Sequence, residues 1–200
     1  MKLSIRGLLL VGVAFAALPG CGYPAVPHAW SRIDSERPAR TPDVPFEPSS
    51  AAAIAAMIEL AQPGPADTVY DLGCGDGRVV IEAVRRSGAR GVGVDLDPKL
   101  IRRATENATR AGLSQRVAFR TEDLFATDLH EATVVMLFLW PEINLRLLPK
   151  LLRELPRGAR VVSNWHDMGG YEPTRTITLA EAGRPHRVYL WIVGASPATL

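Results

Sequence analysis

The residues of this chain with the types and spacing for ligand chemistry are carboxylates at the ends of apolar runs and glycines at every second position of one turn. The run Val69-Tyr70-Asp71-Leu72 reads as a strand, breaks at Gly73-Cys74-Gly75-Asp76-Gly77, and resumes through Ile81 and Val84 with a helical period. Strand, glycine turn and helix form the first half of a βαβ unit. The glycines give G-x-G-x-G, with Arg78 where the third glycine of a dinucleotide fingerprint would stand. No Gly-Lys-Ser/Thr follows, so a phosphate P-loop is excluded as well. A second apolar run, Gly91 to Val94, ends at Asp95, which lies 24 positions after Asp71. A carboxylate there meets ribose hydroxyls. The ligand so described is a nucleoside without a phosphate at the glycine turn.

The segment Asp71 to Gly77, together with Asp95 and the Glu122-Asp123-Leu124 triplet, resembles the motifs of the class I S-adenosylmethionine-dependent methyltransferases. The resemblance covers roughly residues 45 to 193. The wording of residues 70–78, YDLGCGDGR, and of residues 123–129, DLFATDL, is similar to a prokaryotic group related to mitochondrial and archaeal protein-lysine methyltransferases. The resemblance implies S-adenosylmethionine as cofactor, with Asp71, Gly73, Gly75, Asp76, Gly77, Asp95, Leu96, Glu122, Asp123 and Leu124 around it. Asp71 would hold the methionine ammonium, directly or through water. Asp95 would accept from the ribose diol and Asp123 from the adenine amino group, with Leu96 and Leu124 against the ring. The alternative for each carboxylate alone is an ordinary loop acid at a strand end.

Methyl transfer is an in-line displacement that needs alignment and a dry pocket more than it needs a base. His166, Asp167 and Glu142 are the candidates for binding or deprotonating an acceptor, and His166 serves equally well as a loop residue satisfied by backbone. Trp140, Pro141 and Trp165 are candidates to wall an acceptor pocket, or else core. Residues 137–142, Leu-Phe-Leu-Trp-Pro-Glu, lack the Asn-Pro-Pro-Tyr type of motif found in methyltransferases acting on planar nitrogens. A protein lysine acceptor follows from the resemblance alone. A small-molecule acceptor, or a tethered module that binds the nucleoside without transferring methyl groups, are the competing readings. No cluster of His and Cys has metal-ligand spacing, and no metal is expected.

The elements that must position these groups alternate. The sequence predicts a helix over 51–61 capped by Ser49 or Ser50, strands over 68–72, 90–95, 116–121, 133–139 and 159–164, and helices over 77–87, 98–111 and 142–154. Two closing strands over 174–180 and 186–193 are joined by residues 181–184, short enough for an antiparallel hairpin. The expected fold is α/β: a Rossmann-like, doubly wound, mostly parallel seven-stranded sheet with an antiparallel C-terminal hairpin. Too few residues follow the fifth strand for the long helix many relatives carry there, so that edge is trimmed. The 121–132 linker has room for a short helical turn. Pro45-Phe46 lies near the cofactor or packs as a loop.

Residues 1–21 read as a signal peptide. Lys2 and Arg6 precede an apolar core from Leu8 to Leu18 that is short for a bilayer span, and Leu18-Pro19-Gly20-Cys21 resembles a lipoprotein box. Residues 22–48, rich in proline, read as a tether, and 49–200 as the methyltransferase domain. The expected location is therefore the cell envelope, with membrane attachment through Cys21. That conflicts with a cofactor made in the cytoplasm, the location expected otherwise. Cys74 reads as a small turn residue, and the two cysteines predict no disulfide. The net charge of +2 comes wholly from Lys2 and Arg6, since the rest holds 21 basic and 21 acidic residues. No basic stripe stands out, so a nucleic-acid partner is not expected.

Overall fold

The computed structural model describes residues 41, 45–181 and 184–195. The proposed signal segment, Cys21 and almost all of the proline-rich tether lie outside the described residues.

Helix α1 spans Ala51–Ala61, and Ser50 rather than Ser49 caps it, its side chain accepting from the Ala53 amide. Strand β1 (Thr68–Leu72), helix α2 (Arg78–Ser87), strand β2 (Arg90–Asp95) and helix α3 (Pro98–Arg110) follow within a residue of expectation. Asp97 caps α3, with Pro98 in its first turn. Then come β3 (Val117–Thr121), β4 (Val134–Leu137), α4 (Pro141–Glu154), β5 (Arg160–Asn164), β6 (Arg175–Glu181) and β7 (Arg184–Ile192). Helix α4 ends where Leu155 turns extended before Pro156, as a residue preceding proline must.

The seven strands form one sheet in the order β3-β2-β1-β4-β5-β7-β6. Strands β1 to β5 run parallel, while β7 is antiparallel to both β5 and β6. The β6–β7 hairpin closes with Glu181 opposite Arg184. Residues 165–174 pass from β5 to β6 without a helix, so the edge is trimmed as expected. The 122–132 linker forms turns only. Strand β4 is shorter than its apolar pattern, which leaves Phe138, Leu139 and Trp140 as a loop before α4.

The sheet separates two cores. Val69, Val134 and Met136 face α1, α2 and α3, whereas Tyr70, Leu72, Val135 and Leu137 face α4. Asp71 falls, by the two-residue alternation of a strand, on the side of Val69. A carboxylate thus occupies a position whose neighbours are all core.

Helix α2 sits very close to the sheet because Gly91 has no side chain. A Cβ there would lie 2.6 Å from Val80 Cγ2 and 2.8 Å from Val84 Cγ2. Gly91→Ala is expected to cost about 1–3 kcal/mol through overpacking. Urea unfolding checks this, and an unchanged midpoint would mean that α2 lifts off the sheet freely.

Candidate active site

Strand β1 lies between β2 and β4, where the strand order reverses, and open α/β sheets bind ligands beyond the carboxyl ends of strands at that point. A cavity of roughly 400 Å³ opens there, a size within the range of small-molecule sites. Gly73, Asp95, Leu96, Glu122, Leu124 and Phe138 are among its lining residues. A smaller recess of about 30 Å³ adjoins it, lined by Asp71, Gly73, Asp76 and Ser49 among others.

The glycine turn is held from β2. Gly73 and Cys74 both donate backbone hydrogen bonds to Val94 O at 2.9 Å. Gly75 N donates to Asp95 Oδ2 at 2.9 Å, and Asp97 N donates to Asp95 Oδ1 at 2.9 Å. Glu122 N donates to the Asp95 carbonyl at 3.0 Å, so the ends of β1, β2 and β3 meet at one residue. Each Asp95 oxygen keeps a second lone pair for a ligand. Burial raises the Asp95 pKa, and the bonds from Asp97 and Gly75 oppose that rise.

Gly75 and Gly77 both need the left-handed backbone that a side chain would strain, at φ 54° and 78°. A Cβ on Gly75 would also lie 2.2 Å from Phe46 Cε2. The Phe46 ring therefore lies directly on the turn. Pro45, Phe46 and Glu47, which the sequence reading placed in the tether, line the main cavity. Segment 45–50 is fastened at Ser49, whose hydroxyl accepts from Asn164 Nδ2 at 3.2 Å, while Asn164 Oδ1 meets the buried His186 Nε2 at 2.5 Å. Arg78 Nη1 reaches the Ser49 carbonyl at 3.5 Å.

Asp71 is 4% exposed, and its Oδ2 has no hydrogen-bond partner. Burial pushes its pKa up to about 7, with Asp95 and Asp76 adding to the rise and the Val80 amide opposing it. Asp76 behaves otherwise. Burial would raise it too, but Arg78 binds it through Nε at 2.9 Å and Nη2 at 2.7 Å, and the net shift is downward. Asp76 is thus committed to Arg78 within the turn. Asp123 Oδ1 accepts from the Phe125 amide at 2.9 Å, and Glu122 and Leu124 of that triplet line the cavity.

On the far side, Trp140 caps α4 with its carbonyl and is 49% exposed. Pro141 and Glu142 begin the helix at the surface. Trp165 is also exposed, holds φ at 69°, and packs its ring 4.5 Å from that of His186. A non-glycine residue in that region is strained, which is common at functional sites. His166 stacks on Phe138 with centroids 6.4 Å apart. Burial lowers its pKa, and Asp167, Glu142 and Glu47 act against that shift. The loop after β5 is held by the buried Asn144 of α4, whose Nδ2 lies 3.3 Å from His166 O and 3.2 Å from Asp167 O.

Away from the cavity, Asp128, His130 and Glu154 bring one potential ligand atom each within 4.8 Å of one another. Lys150 and Arg153 pair with Glu154, and His130 with Asp128, which makes this a surface ion-pair cluster.

Residues missed by the sequence reading are Glu47, Leu100, Phe138, Leu139 and Ile143 of the cavity wall, and Ser49, Asn144 and Asn164 behind it. The early end of an apolar run before Trp-Pro was the available sign for Phe138. The buried amides gave none.

The orphaned Asp71 oxygen, the free lone pairs of Asp95 and an apolar wall from Leu96 and Leu124 suit a ligand with an ammonium, a ribose and a base, which are the parts of S-adenosylmethionine. Comparison with known proteins agrees. Residues 71–175 match the family model of the ANTKMT methyltransferase domain. A protein-lysine N-methyltransferase of Saccharolobus islandicus is 38% identical over 154 residues, covering 76% of this chain and 96% of that protein. The mouse adenine nucleotide translocase lysine N-methyltransferase is 35% identical over 134 residues, which span 67% of this chain and only 58% of that relative. Among solved structures, one described as an RNA methyltransferase from Salinibacter ruber in complex with S-adenosyl-L-homocysteine is 44% identical, with a TM-score of 0.71, covering 77% of this chain and 99% of that one.

The raised Asp71 pKa makes a prediction that needs no ligand. Between pH about 4 and about 7 the folded chain holds a proton that an ordinary carboxyl, with pKa 3.8, has lost in the unfolded chain. Stability therefore falls as pH rises through that window, by an amount on the order of a few kcal/mol. Asp71→Asn is expected to remove this fall and to leave the ligand-free protein more stable than wild type at pH 8. Thermal melts at pH 4 and pH 8 check the sign, and equal curves would mean that Asp71 is not buried as a charge.

Proposed function

This chain belongs to the ANTKMT-type methyltransferases of the class I superfamily, enzymes that use S-adenosylmethionine, and on that premise we propose that it methylates the side-chain nitrogen of a lysine in a protein. The observation that carries the cofactor half of this reading is the buried Asp71 oxygen without a partner, facing a recess beside the cavity. Relatives named for lysine methylation support the acceptor half.

S-adenosylmethionine supplies an electrophilic methyl group on a sulfonium. In the proposed assignment, Asp71 ionises to hold the amino group of the methionine moiety. Asp95 accepts from the ribose hydroxyls, and charged acceptors of this kind contribute roughly 1.5–3 kcal/mol each. Leu96 and Leu124 cover the base, and Glu122, which lines the cavity, stands on the side given in the sequence reading to Asp123. Gly73, Gly75 and Gly77 let the backbone approach the ligand, while Asp76 stiffens the turn through Arg78.

The acceptor ammonium must lose a proton before its lone pair can form the new N–C bond, as the methyl–sulfur bond breaks and its electron pair stays on sulfur. His166 is the group on this chain suited to take that proton, since burial favours its neutral form. Trp140, Pro141 and Trp165 border the approach, and Asp167 and Glu142 bind the acceptor rather than deprotonate it.

The first 21 residues add a proposal about place: export or anchoring through Cys21 at the envelope, supported by the charge, length and cysteine position of that segment. Cys21→Ala would then move the protein from the membrane fraction to the soluble one. An unchanged partition, or a mature protein that retains Met1, would remove Cys21 as the anchor.

For the activity itself, the full chain is incubated with methyl-labelled S-adenosylmethionine and extract proteins, and the hydrolysate is searched for methyl-lysine. Label in methyl-lysine is expected, and label confined to RNA or to small molecules would overturn the lysine assignment. Asp95→Ala is expected to weaken S-adenosylmethionine binding at least tenfold by calorimetry. Because Asp95 also receives two backbone amides, the same change should lower stability by about 1–3 kcal/mol. Undiminished affinity in the folded variant would remove Asp95 from the cofactor site.

A further inference from the structure

The large cavity and the small recess at the strand ends share four lining residues, Phe46, Glu47, Gly73 and Phe138. Each space also has an anchor of its own. Asp95 lines the cavity and not the recess, whereas Asp71, with its unpartnered Oδ2, lines the recess and not the cavity. A ligand that satisfies both carboxylates therefore has to pass the four shared residues. In S-adenosylmethionine the sulfonium lies between the ribose and the amino acid part, so these four residues border the reacting methyl group.

Two of the four are aromatic. The Phe46 ring lies against the glycine turn, since a Cβ on Gly75 would come within 2.2 Å of its Cε2 and 2.6 Å of its Cδ2. The ring is nevertheless 41% exposed and belongs to neither core. What keeps it there is the fastening three residues on, where the Ser49 hydroxyl accepts from the buried Asn164. Phe138, the other ring, is backed by that of His166. An exposed apolar side chain is ordinary by itself. Here it is held at the one passage that joins an orphaned carboxylate to a small-molecule cavity. A ring differs from an aliphatic wall of similar size in that its face attracts a cation, more strongly where water is excluded. A sulfonium has no N–H to donate, so a ring face suits it better than a hydrogen-bond acceptor does.

Resting on the cofactor assignment above, and not on the acceptor, we propose that Phe46 recognises the positive charge of the sulfonium and so distinguishes S-adenosylmethionine from its neutral product, S-adenosylhomocysteine. Transfer of the methyl group leaves the sulfur uncharged. The attraction to the ring face is lost with that charge, and the site releases product more readily than an aliphatic pocket would. Phe46 is thus a specificity-determining residue supplied by the segment before α1. It stands apart from the strand-end carboxylates and outside residues 71–175, the stretch that matches the family model.

The test is calorimetry on the full chain with S-adenosylmethionine and S-adenosylhomocysteine, for wild type, Phe46→Leu and Phe46→Tyr, with thermal melts to show that the variants fold. Leucine keeps an apolar wall without a ring face, and tyrosine keeps the ring. Phe46→Leu is expected to weaken S-adenosylmethionine binding about tenfold and S-adenosylhomocysteine binding no more than about twofold, while Phe46→Tyr stays within about twofold of wild type for both. If Phe46→Leu weakens both ligands equally, the ring is only a wall and the proposal fails while the cofactor assignment stands. A loss in Phe46→Tyr as large as in Phe46→Leu would trace the effect to fit rather than to the ring face, and overturns it too. Unchanged affinities in Phe46→Leu would remove Phe46 from the site. If wild type binds neither ligand, the cofactor assignment fails and takes the proposal with it.

Discussion

The hydrogen bond from Gly75 N to Asp95 Oδ2 is the contact on which the rest of the site depends. It ties the turn after β1 to the end of β2, and the Asp95 carbonyl ties both to the start of the β3 exit. A parallel sheet delivers its strand ends to one edge but leaves the loops there without a ladder to satisfy them. A single carboxylate that accepts two backbone amides does so here, and it rigidifies the place where a ligand must be met. The geometry also explains why the turn carries glycine at alternate positions. Phe46 presses on Gly75 from outside, and a Cβ on Gly77 would lie 2.7 Å from the Phe119 ring inside.

Asp71 makes the opposite bargain. Asp95 is stabilised by what it binds, whereas Asp71 is left with one oxygen unpartnered at a core position. Burying a charge without a partner opposes folding. Packed between apolar neighbours on β1 and β4, Val69 and Met136 among them, the carboxyl limits this cost by keeping a proton, since burial pushes its pKa up to about 7. A site that is complementary to a cation only once the cation arrives is preorganised at the expense of the empty fold. That tension marks Asp71 out from Asp76, which lines the same recess but has a partner within the turn. It lies five residues later, is equally buried, and is fully answered by Arg78.

How far the sequence was legible follows the same division. Strands β1 and β2, the turn between Gly73 and Gly77, and the caps of α1 and α3 are encoded locally, by alternation, glycine spacing and capping residues, and they appear where the pattern puts them. The end of β4 was misjudged by two residues because its apolar run serves two masters. Val134 to Leu137 feed the sheet, while Phe138 and Leu139 line the cavity. Segment 45–48 read as tether because its prolines exclude regular structure, yet proline is compatible with a fixed extended strap, and Ser49 fixes it through Asn164, 115 positions away. No local pattern encodes a bond of that separation. Asn144, which holds the loop of His166 and Asp167, escaped notice for the same reason: a lone amide on a helix looks like surface until its partners arrive from β5.

The relatives sharpen the question of the acceptor. A structure described as an RNA methyltransferase is 44% identical to this chain, and a protein-lysine methyltransferase is 38% identical. Identity at these levels fixes the fold and the cofactor half, because the glycine turn, Asp95 and the sheet register are constrained by one another. It does not fix the acceptor half, which is built from the segment before α1, the loop into α4 and the loop after β5, pieces whose conformation the sheet does not dictate. A ribose phosphate backbone and a lysine differ above all in sign of charge. Whichever sign the mouth carries therefore biases the choice before any contact with the reacting nitrogen is made. On this chain those three segments carry the exposed acids Glu47, Glu142 and Asp167, each of which acts electrostatically on His166. The physical argument for a lysine thus rests on the loops, independently of the motif that identifies the cofactor.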